Sequence, residues 1–228
     1  MMGAAIRKED ANTPWWERRT TMVLLALISI IPLVWPDIPP MVDLPGHMGR
    51  YRVQLDLETS PYLKQWYSFD WALIGNLGID LLIEPMHWLG IDLETSVKLI
   101  IMSIPPMTVA GYLWVAREVH GRIPPTTLFA LPLAYCFPFI FGFANFALSM
   151  GLAFLAFGLW LRLARTGHFR LRAILFVPIS VILWITHAFG WGTLGVLAFS
   201  SELIRHLDRR NHFIKAWFLV GIHCLPLA

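Results

Sequence analysis

Long apolar segments recur along most of the chain, and short segments rich in arginine separate them. With 57% hydrophobic and only 14% charged residues, the 228-residue chain is too apolar for a soluble domain of its size. A helix that spans a membrane needs about 20 predominantly apolar residues, with about 17 as the lower limit. The sequence therefore predicts an all-α protein: a polytopic bundle of transmembrane helices.

The positions of the basic residues predict the orientation of this bundle. Short loops rich in Lys and Arg stay in the cytoplasm. Arg7, Lys8, Arg18 and Arg19 precede the first apolar segment, and no small-residue cleavage site follows that segment. We therefore expect an uncleaved first helix and a cytoplasmic N-terminus in a bacterial inner membrane. Because the basic residues cluster between helices, they indicate topology and no nucleic-acid partner.

About seven membrane segments follow from these two rules. They cover about residues 20–35, 97–116, 126–141 and 145–163, two arms within 173–204, and an apolar run over 216–228. Residues of about 36–96 form a long extracytoplasmic loop in this arrangement. The whole chain, 1–228, is then a single transmembrane domain. The final apolar run has no polar stop, so we expect the chain to be the N-terminal part of a longer protein, with its last helix cut short.

The segment 173–204 allows two topologies. A single tilted helix would place the basic cluster of Arg205, Arg209 and Arg210 outside. Two crossings keep that cluster inside and require a turn near residues 187–192, which contain His187 and two glycines. We favour the hairpin. Its arms are short, so the turn is expected to line a cavity below the outer surface.

The start of the long loop carries the strongest candidates for chemistry. Asp37 and Asp43 lie in a proline-rich stretch, and Asp43 can begin a helix to about residue 58 that places Asp43, His47 and Arg50 on one stripe. In a functional interpretation one carboxylate is a general base, while His47 and Arg50 hold an anionic leaving group. In the alternative, Asp43 only caps the helix and the other two residues face solvent or lipid headgroups.

A second surface helix is predicted over about residues 71–90. Asp80, Glu84 and His87 are spaced i, i+4, i+7 on it and could bind a divalent metal with a ligand from elsewhere. The same spacing is typical of a solvated helix face. No metal site or other cofactor is therefore assigned, and a divalent metal remains an open alternative.

Two further polar residues lie close to the predicted outer surface. Asn145 either caps the fourth apolar helix or donates a hydrogen bond to a substrate. His187 is the most polar residue of its segment, and an ionisable group at membrane depth is a functional candidate. A neutral histidine bonded to a backbone carbonyl is the alternative.

Three short motifs carry a family resemblance: DLPGH at 43–47, GFANF at 142–146 and THAFG at 186–190. Together with the layout, they resemble the GT-C superfamily of membrane glycosyltransferases and bacterial polytopic membrane proteins of similar layout. Members have a cytoplasmic N-terminus and a first extracytoplasmic loop with an acidic residue soon after helix one. The resemblance implies that Asp37 or Asp43 is the catalytic carboxylate, acting as the base, and that the sugar donor is linked to a polyprenyl phosphate.

The leading hypothesis from sequence is therefore glycosyl transfer at the outer membrane face. Asp37 or Asp43 would deprotonate the acceptor, and His47, Arg50, Asn145 and His187 would bind substrate. The expected partners are membrane lipids and the polyprenyl-phosphate donor. A transporter or flippase of a lipid-linked solute is the alternative, although the first four apolar helices contain few ionisable groups. A non-catalytic membrane scaffold is the third hypothesis.

Overall fold

The computed structural model describes residues 13–208 and 212–228, and within these ranges its regular secondary structure is helix, with no strand. The predicted cytoplasmic charges Arg7 and Lys8, and the basic pair Arg209 and Arg210, lie outside them. The helices are α1 (Arg19–Ile28), α2 (Leu44–Asp56), α3 (Pro61–Trp66), α4 (Gly78–Trp88), α5 (Leu93–His120), α6 (Ala130–Leu133), α7 (Phe137–Phe141), α8 (Ala144–Arg165), α9 (Phe169–Thr186), α10 (Ala188–Asp208) and α11 (Phe213–Cys224). Short 3₁₀ turns extend α1 and α11 and precede α6.

Three of the described helices are long and apolar enough to cross a membrane: α5, α8 and α9. Three shorter apolar segments accompany them, over Arg19–Leu33, Pro125–Phe141 and Phe213–Leu227. The predicted count of about seven membrane segments is therefore not confirmed. The long second and fourth predicted helices correspond to α5 and α8, and α8 agrees with its predicted bounds to within two residues.

Prolines account for most of the difference at the shorter segments. The predicted helix over 126–141 is a 3₁₀ turn over Pro125–Phe129 followed by the short helices α6 and α7. Pro132 and Pro138 each lack the backbone N–H that a continuous helix would use, so this segment breaks into pieces. The first apolar helix ends as α1 at Ile28, and a 3₁₀ turn containing Pro32 follows it.

The helices α5, α8 and α10 form the centre of the molecule, where small residues permit close packing. A Cβ at Gly111 of α5 would lie 2.7 Å from the Cβ of Phe154 on α8. A Cβ at Gly190 of α10 would lie 2.6 Å from the Cβ of Ser149 on α8. Close approach at small residues is typical of helix packing in membranes.

A tight hairpin connects α9 and α10, and this confirms the predicted turn near His187. The indole N–H of Trp191 donates to Ser180 Oγ at 2.9 Å. Farther from the turn, Arg172 of α9 donates to Glu202 of α10 at 2.6 Å. In each pair the two residues lie on opposite sides of His187 in the sequence, so the two helices run antiparallel. The turn is tighter than predicted, because His187 alone separates the helices and the glycines at 190 and 192 belong to α10.

The long loop folds back onto the bundle through α2 and α4. The predicted helix from Asp43 corresponds to α2, whose Leu44, Met48 and Tyr51 are buried. These side chains pack with Ile83 of α4 and with α5 in one apolar cluster. The second predicted surface helix is shorter than expected, since the chain before Gly78 is not helical. The fold thus places the start of α2 beside the first turn of α8 and the α9–α10 turn.

Candidate functional site

A cavity of about 440 Å³ lies where the start of α2, the first turn of α8 and the α9–α10 turn meet. Phe143, Phe146 and Phe189 contribute aromatic walls to it. Its polar lining comes from separate parts of the sequence: Asp43, His47, Asn76, Asn145 and His187. Four of these five residues are the sequence candidates Asp43, His47, Asn145 and His187, which the fold brings to one place.

The carboxylate of Asp43 faces this cavity next to His47. Asp43 Oδ2 lies 3.5 Å from His47 Nε2, and their side chains are 52% and 30% exposed. Asp43 occupies the N-cap position of α2, but its side chain makes no capping hydrogen bond. The expectation that this side chain caps α2 is therefore wrong, and the carboxylate is free of that backbone role. The His47 ring stacks on Tyr51, with ring centroids 6.2 Å apart.

Gly142 packs directly against the backbone of Asp43 and fixes its position. The Asp43 N–H donates to the carbonyl of Phe141 at 2.8 Å, which ties the start of α2 to the end of α7. Gly142 has a φ of +107°, and a Cβ there would lie 2.9 Å from Asp43 N. Only glycine combines that backbone conformation with so close an approach. Gly142, the first residue of the GFANF motif, therefore packs against the backbone of Asp43, the first residue of the DLPGH motif.

Asn145 positions the loop before α4, whose Asn76 lines the cavity. Its Oδ1 accepts from the N–H of Ile79 at 2.7 Å, and its Nδ2 donates to the carbonyl of Asn76 at 2.9 Å. The side chain is 7% exposed. The prediction that Asn145 caps its own helix is wrong, because it satisfies an N–H in the first turn of α4 instead. It lines the cavity while it joins α8 to the loop before α4.

His187 lies in extended backbone between α9 and α10, with φ −168° and ψ 131°. Its Nδ1 accepts from the N–H of Phe189 at 3.2 Å, so Nε2 carries the proton of the neutral ring. Phe146 and Phe189 pack on the imidazole. Burial lowers the pKa of His187 below its ordinary value, which favours this neutral form. A neutral Nε2–H is a hydrogen-bond donor to an anionic group.

The other two sequence candidates lie outside the cavity. Asp37 is exposed on the chain before α2 and does not line it. Arg50 contacts the buried carboxylate of Asp80, and this hydrogen bond raises the pKa of the guanidinium. Gln54 donates to Glu84 at 2.8 Å beside the same pair. Arg50 thus joins α2 to α4.

The predicted set of Asp80, Glu84 and His87 does not form a cluster of metal ligands. Asp80 is buried against Arg50, whereas His87 is exposed. Within the described ranges, one trio of potential ligands has all its ligand atoms within 4.8 Å of one another, and it lies elsewhere: Glu202, His206 and His223.

Sequence reasoning missed this trio, although Glu202 and His206 are spaced i, i+4 on α10. The two oxygens of Glu202 accept from Arg172 and Arg205. Two guanidinium groups on one carboxylate oppose the binding of a divalent cation. The group is therefore a buried ion-pair network within the α9–α10 hairpin, and it is separate from the cavity.

No protein-family model, curated protein or solved structure matches the chain. What the protein does must therefore be inferred from its own residues and their geometry.

Proposed function

We propose that the protein is a membrane glycosyltransferase that moves a sugar from a polyprenyl-phosphate-linked donor to an acceptor hydroxyl in the cavity at Asp43. The observation that supports this most strongly is the convergence of Asp43, His47 and His187 on one cavity. Asp43 and His47 come from the start of α2 and His187 from the distant α9–α10 turn, and Asp43 makes no capping hydrogen bond in α2. A carboxylate held beside an imidazole in an aromatic cavity is suited to general base catalysis.

In the proposed reaction Asp43 accepts the proton of the acceptor hydroxyl. The acceptor oxygen forms a bond to the anomeric carbon of the sugar, and the bond from that carbon to the phosphate oxygen breaks. Its electron pair leaves with the polyprenyl phosphate, and the proton stays on Asp43. His47 and His187 provide hydrogen bonds to the phosphate, which gains charge as it departs. Asn145 holds the loop at 76–79 in place during this step.

An apolar groove beside the cavity supports a lipid-linked donor. It has a volume of about 530 Å³ and is lined by residues of α10 from Ala188 to Leu197. Phe189 lines both the groove and the cavity. Ten residues of helix extend about 15 Å, enough to accompany several isoprene units into the bilayer. The phosphate of such a donor would lie at His187 while its chain follows α10.

The proposed orientation places the cavity on the extracytoplasmic side of a bacterial inner membrane. Arg162 and Arg165 end α8 at the end opposite to Asn145, and Arg170 follows them at the start of α9. By the positive-inside rule that end faces the cytoplasm, as does the N-terminus. The short apolar segments and α10 would complete a bundle of about seven segments around α5, α8 and α9.

A flippase or transporter of a lipid-linked solute is the second candidate function. The observation that favours it is the ion pair between Arg172 and Glu202, because both side chains are only 2% exposed within the α9–α10 hairpin. Ionisable groups buried between the helices of a membrane bundle are typical of transporters.

One assay separates the two functions. The full chain, purified in detergent, is incubated with a polyprenyl-phosphate donor carrying a radiolabelled sugar and with an acceptor extract, and an Asp43→Asn preparation serves as the matched control. Detergent abolishes compartments but not bond transfer, so we expect labelled product and free polyprenyl phosphate from the wild type alone. An intact donor in detergent, combined with its movement across the bilayer of proteoliposomes, would refute the transferase and support the flippase.

A further inference from the structure

A second cavity, of about 620 Å³, lies between α1, α5 and α8 at the end of the bundle opposite to Asp43. Its lining includes four arginines, one from α1, one from α5 and two from α8: Arg19, Arg117, Arg162 and Arg165. Because α8 extends for 22 residues between the two cavities, they are separated by about 30 Å. This basic cavity is therefore distinct from the proposed transferase site, and its inference does not depend on that function.

One carboxylate, that of Glu118, lines the basic cavity, and both of its oxygens accept hydrogen bonds from neighbouring side chains. Glu118 is 2% exposed and accepts from Arg165 Nε at 2.8 Å. Its other oxygen accepts from the indole N–H of Trp114 at 3.3 Å. The one acidic side chain of the lining therefore neutralises Arg165 alone.

The other three arginines have no carboxylate within 4 Å among the residues that the structure describes: Arg19, Arg117 and Arg162. Arg117 makes only a weak contact with the sulfur of Met22, at 3.8 Å. Three cationic groups around one cavity repel each other and concentrate anions there. Arginine is also the side chain best suited to pair with phosphate oxygens.

The walls of the basic cavity continue into the apolar surface of α1. Val23 lines the cavity, and Leu24 and Leu27 continue the same exposed apolar helix. On the other side Trp114 packs against Gly158, where a Cβ would lie 2.8 Å from the indole ring. A tryptophan beside arginines at the end of apolar helices is typical of the headgroup region of a membrane.

We propose that this cavity binds the headgroup of an anionic phospholipid, with the phosphate among Arg19, Arg117 and Arg162 and the acyl chains along α1. Basic pockets between helices at a membrane surface bind lipid headgroups in this way. The apolar wall favours a lipid over a free phosphate, because a soluble anion leaves Val23 and the exposed face of α1 uncovered.

The test measures lipid binding to the full chain in nanodiscs of phosphatidylcholine with and without phosphatidylglycerol. Native mass spectrometry counts retained lipids, and the melting temperature reports stabilisation. The test variant is Arg117→Gln/Arg162→Gln. The matched control is Arg122→Gln/Arg170→Gln, which removes the same charge from exposed arginines outside the cavity.

We expect phosphatidylglycerol to bind the wild type and the control, and its affinity to fall about tenfold or more in the test variant. Equal affinities in the test and control variants would overturn the proposal. If the test variant does not fold, wild-type protein alone decides: stabilisation by phosphatidylglycerol but not phosphatidylcholine supports a lipid site. Competition by inorganic phosphate as effective as that by the lipid would instead identify a free-phosphate site and overturn the proposal.

Discussion

The carboxylate of Asp80 is fully buried, and Arg50 of α2 contacts its Oδ1. Its Oδ2 has no hydrogen-bond partner among the described residues. Beside the pair, the Tyr51 hydroxyl is also buried, and burial raises its pKa above the ordinary value. A charge in such surroundings depends on its counterion. The pair therefore stabilises the contact between α2 and α4. Because His47 lies on α2, this contact also helps to hold His47 at the cavity.

Arg50→Ala should lower the free energy of unfolding by about 2–3 kcal/mol, because it leaves the buried Asp80 carboxylate without a counterion. This loss is smaller than the loss of about 3–5 kcal/mol that is usual for a fully buried pair, because the Arg50 side chain is partly exposed. The double variant Arg50→Ala/Asp80→Asn should be less destabilised than Arg50→Ala, since it removes the unpaired charge. Unfolding in detergent with increasing denaturant measures all three proteins. An Arg50→Ala protein of normal stability but reduced transfer would instead assign Arg50 to the substrate.

The lowered pKa of His187 predicts a loss of stability in mild acid. The ordinary value is 6.5, and burial depresses the pKa in the folded state. Between the two pKa values the unfolded chain binds more protons, so stability is full above pH 6.5 and falls as the pH drops toward the folded-state pKa. We expect the melting temperature to decrease from about pH 7.5 to about pH 5.5, and to decrease less in His187→Gln. Equal decreases in both proteins would contradict this account.

At the scale of elements, the connection between α7 and α8 determines where Asp43 lies. Gly142→Ala introduces a Cβ 2.9 Å from Asp43 N at a φ of +107°. We expect a destabilisation of about 1–3 kcal/mol and a displaced Asp43, hence reduced transfer even in the folded fraction. Gly49→Ala is the matched control, because it lies within α2 with no atom within 4 Å. It should be neutral or stabilising by up to about 1 kcal/mol.

The sequence predicted the long elements well and the broken ones poorly. Apolar length and charge predicted α8 to within two residues. The charge rule required a hairpin in the segment 173–204, and the polar and glycine residues at 186–192 placed its turn near His187. The segment over Pro125–Phe141 was predicted as one helix because its apolar composition was given more weight than its prolines.

The cavity was only partly predictable from sequence. Asp43, His47, Asn145 and His187 were each recognised, since polar residues beside apolar segments are conspicuous. Helical spacing does not show what covers a face, however. The spacing of Asp80 was equally compatible with a solvated face, but in the structure its side chain is buried against Arg50.

At the scale of the whole molecule, exposed apolar side chains cover the outer faces of α1, α9 and α11. Ile174, Val177 and Val181 of α9 are 70%, 53% and 52% exposed. Phe213, Ile214 and Phe218 of α11 are exposed as well. An apolar surface of this extent on helices of membrane-spanning composition indicates contact with lipid.

Val181→Lys tests this lipid contact. A lysine at the centre of a spanning helix costs about 2.5–3.5 kcal/mol in membrane insertion, and Val181, about one turn from the centre of α9, should approach this cost. Leu73→Lys is the matched control, because Leu73 is also exposed, at 76%, but lies outside the helices. In an insertion assay with microsomes or inverted vesicles, Val181→Lys should reduce the inserted fraction and Leu73→Lys should not. Equal insertion of both variants would contradict a lipid-facing α9.

The central claim is that the cavity at Asp43 is the catalytic site, and the rate of sugar transfer by Asp43→Asn and Asp37→Asn tests it most directly. Both variants remove one carboxylate at nearly constant size, but only Asp43 lines the cavity. With the full chain in membranes at matched expression, we expect Asp43→Asn to lower kcat by about 10²–10⁴-fold with little change in KM. Asp37→Asn should transfer sugar at the wild-type rate. Wild-type transfer by Asp43→Asn, or a loss confined to Asp37→Asn, would contradict the account.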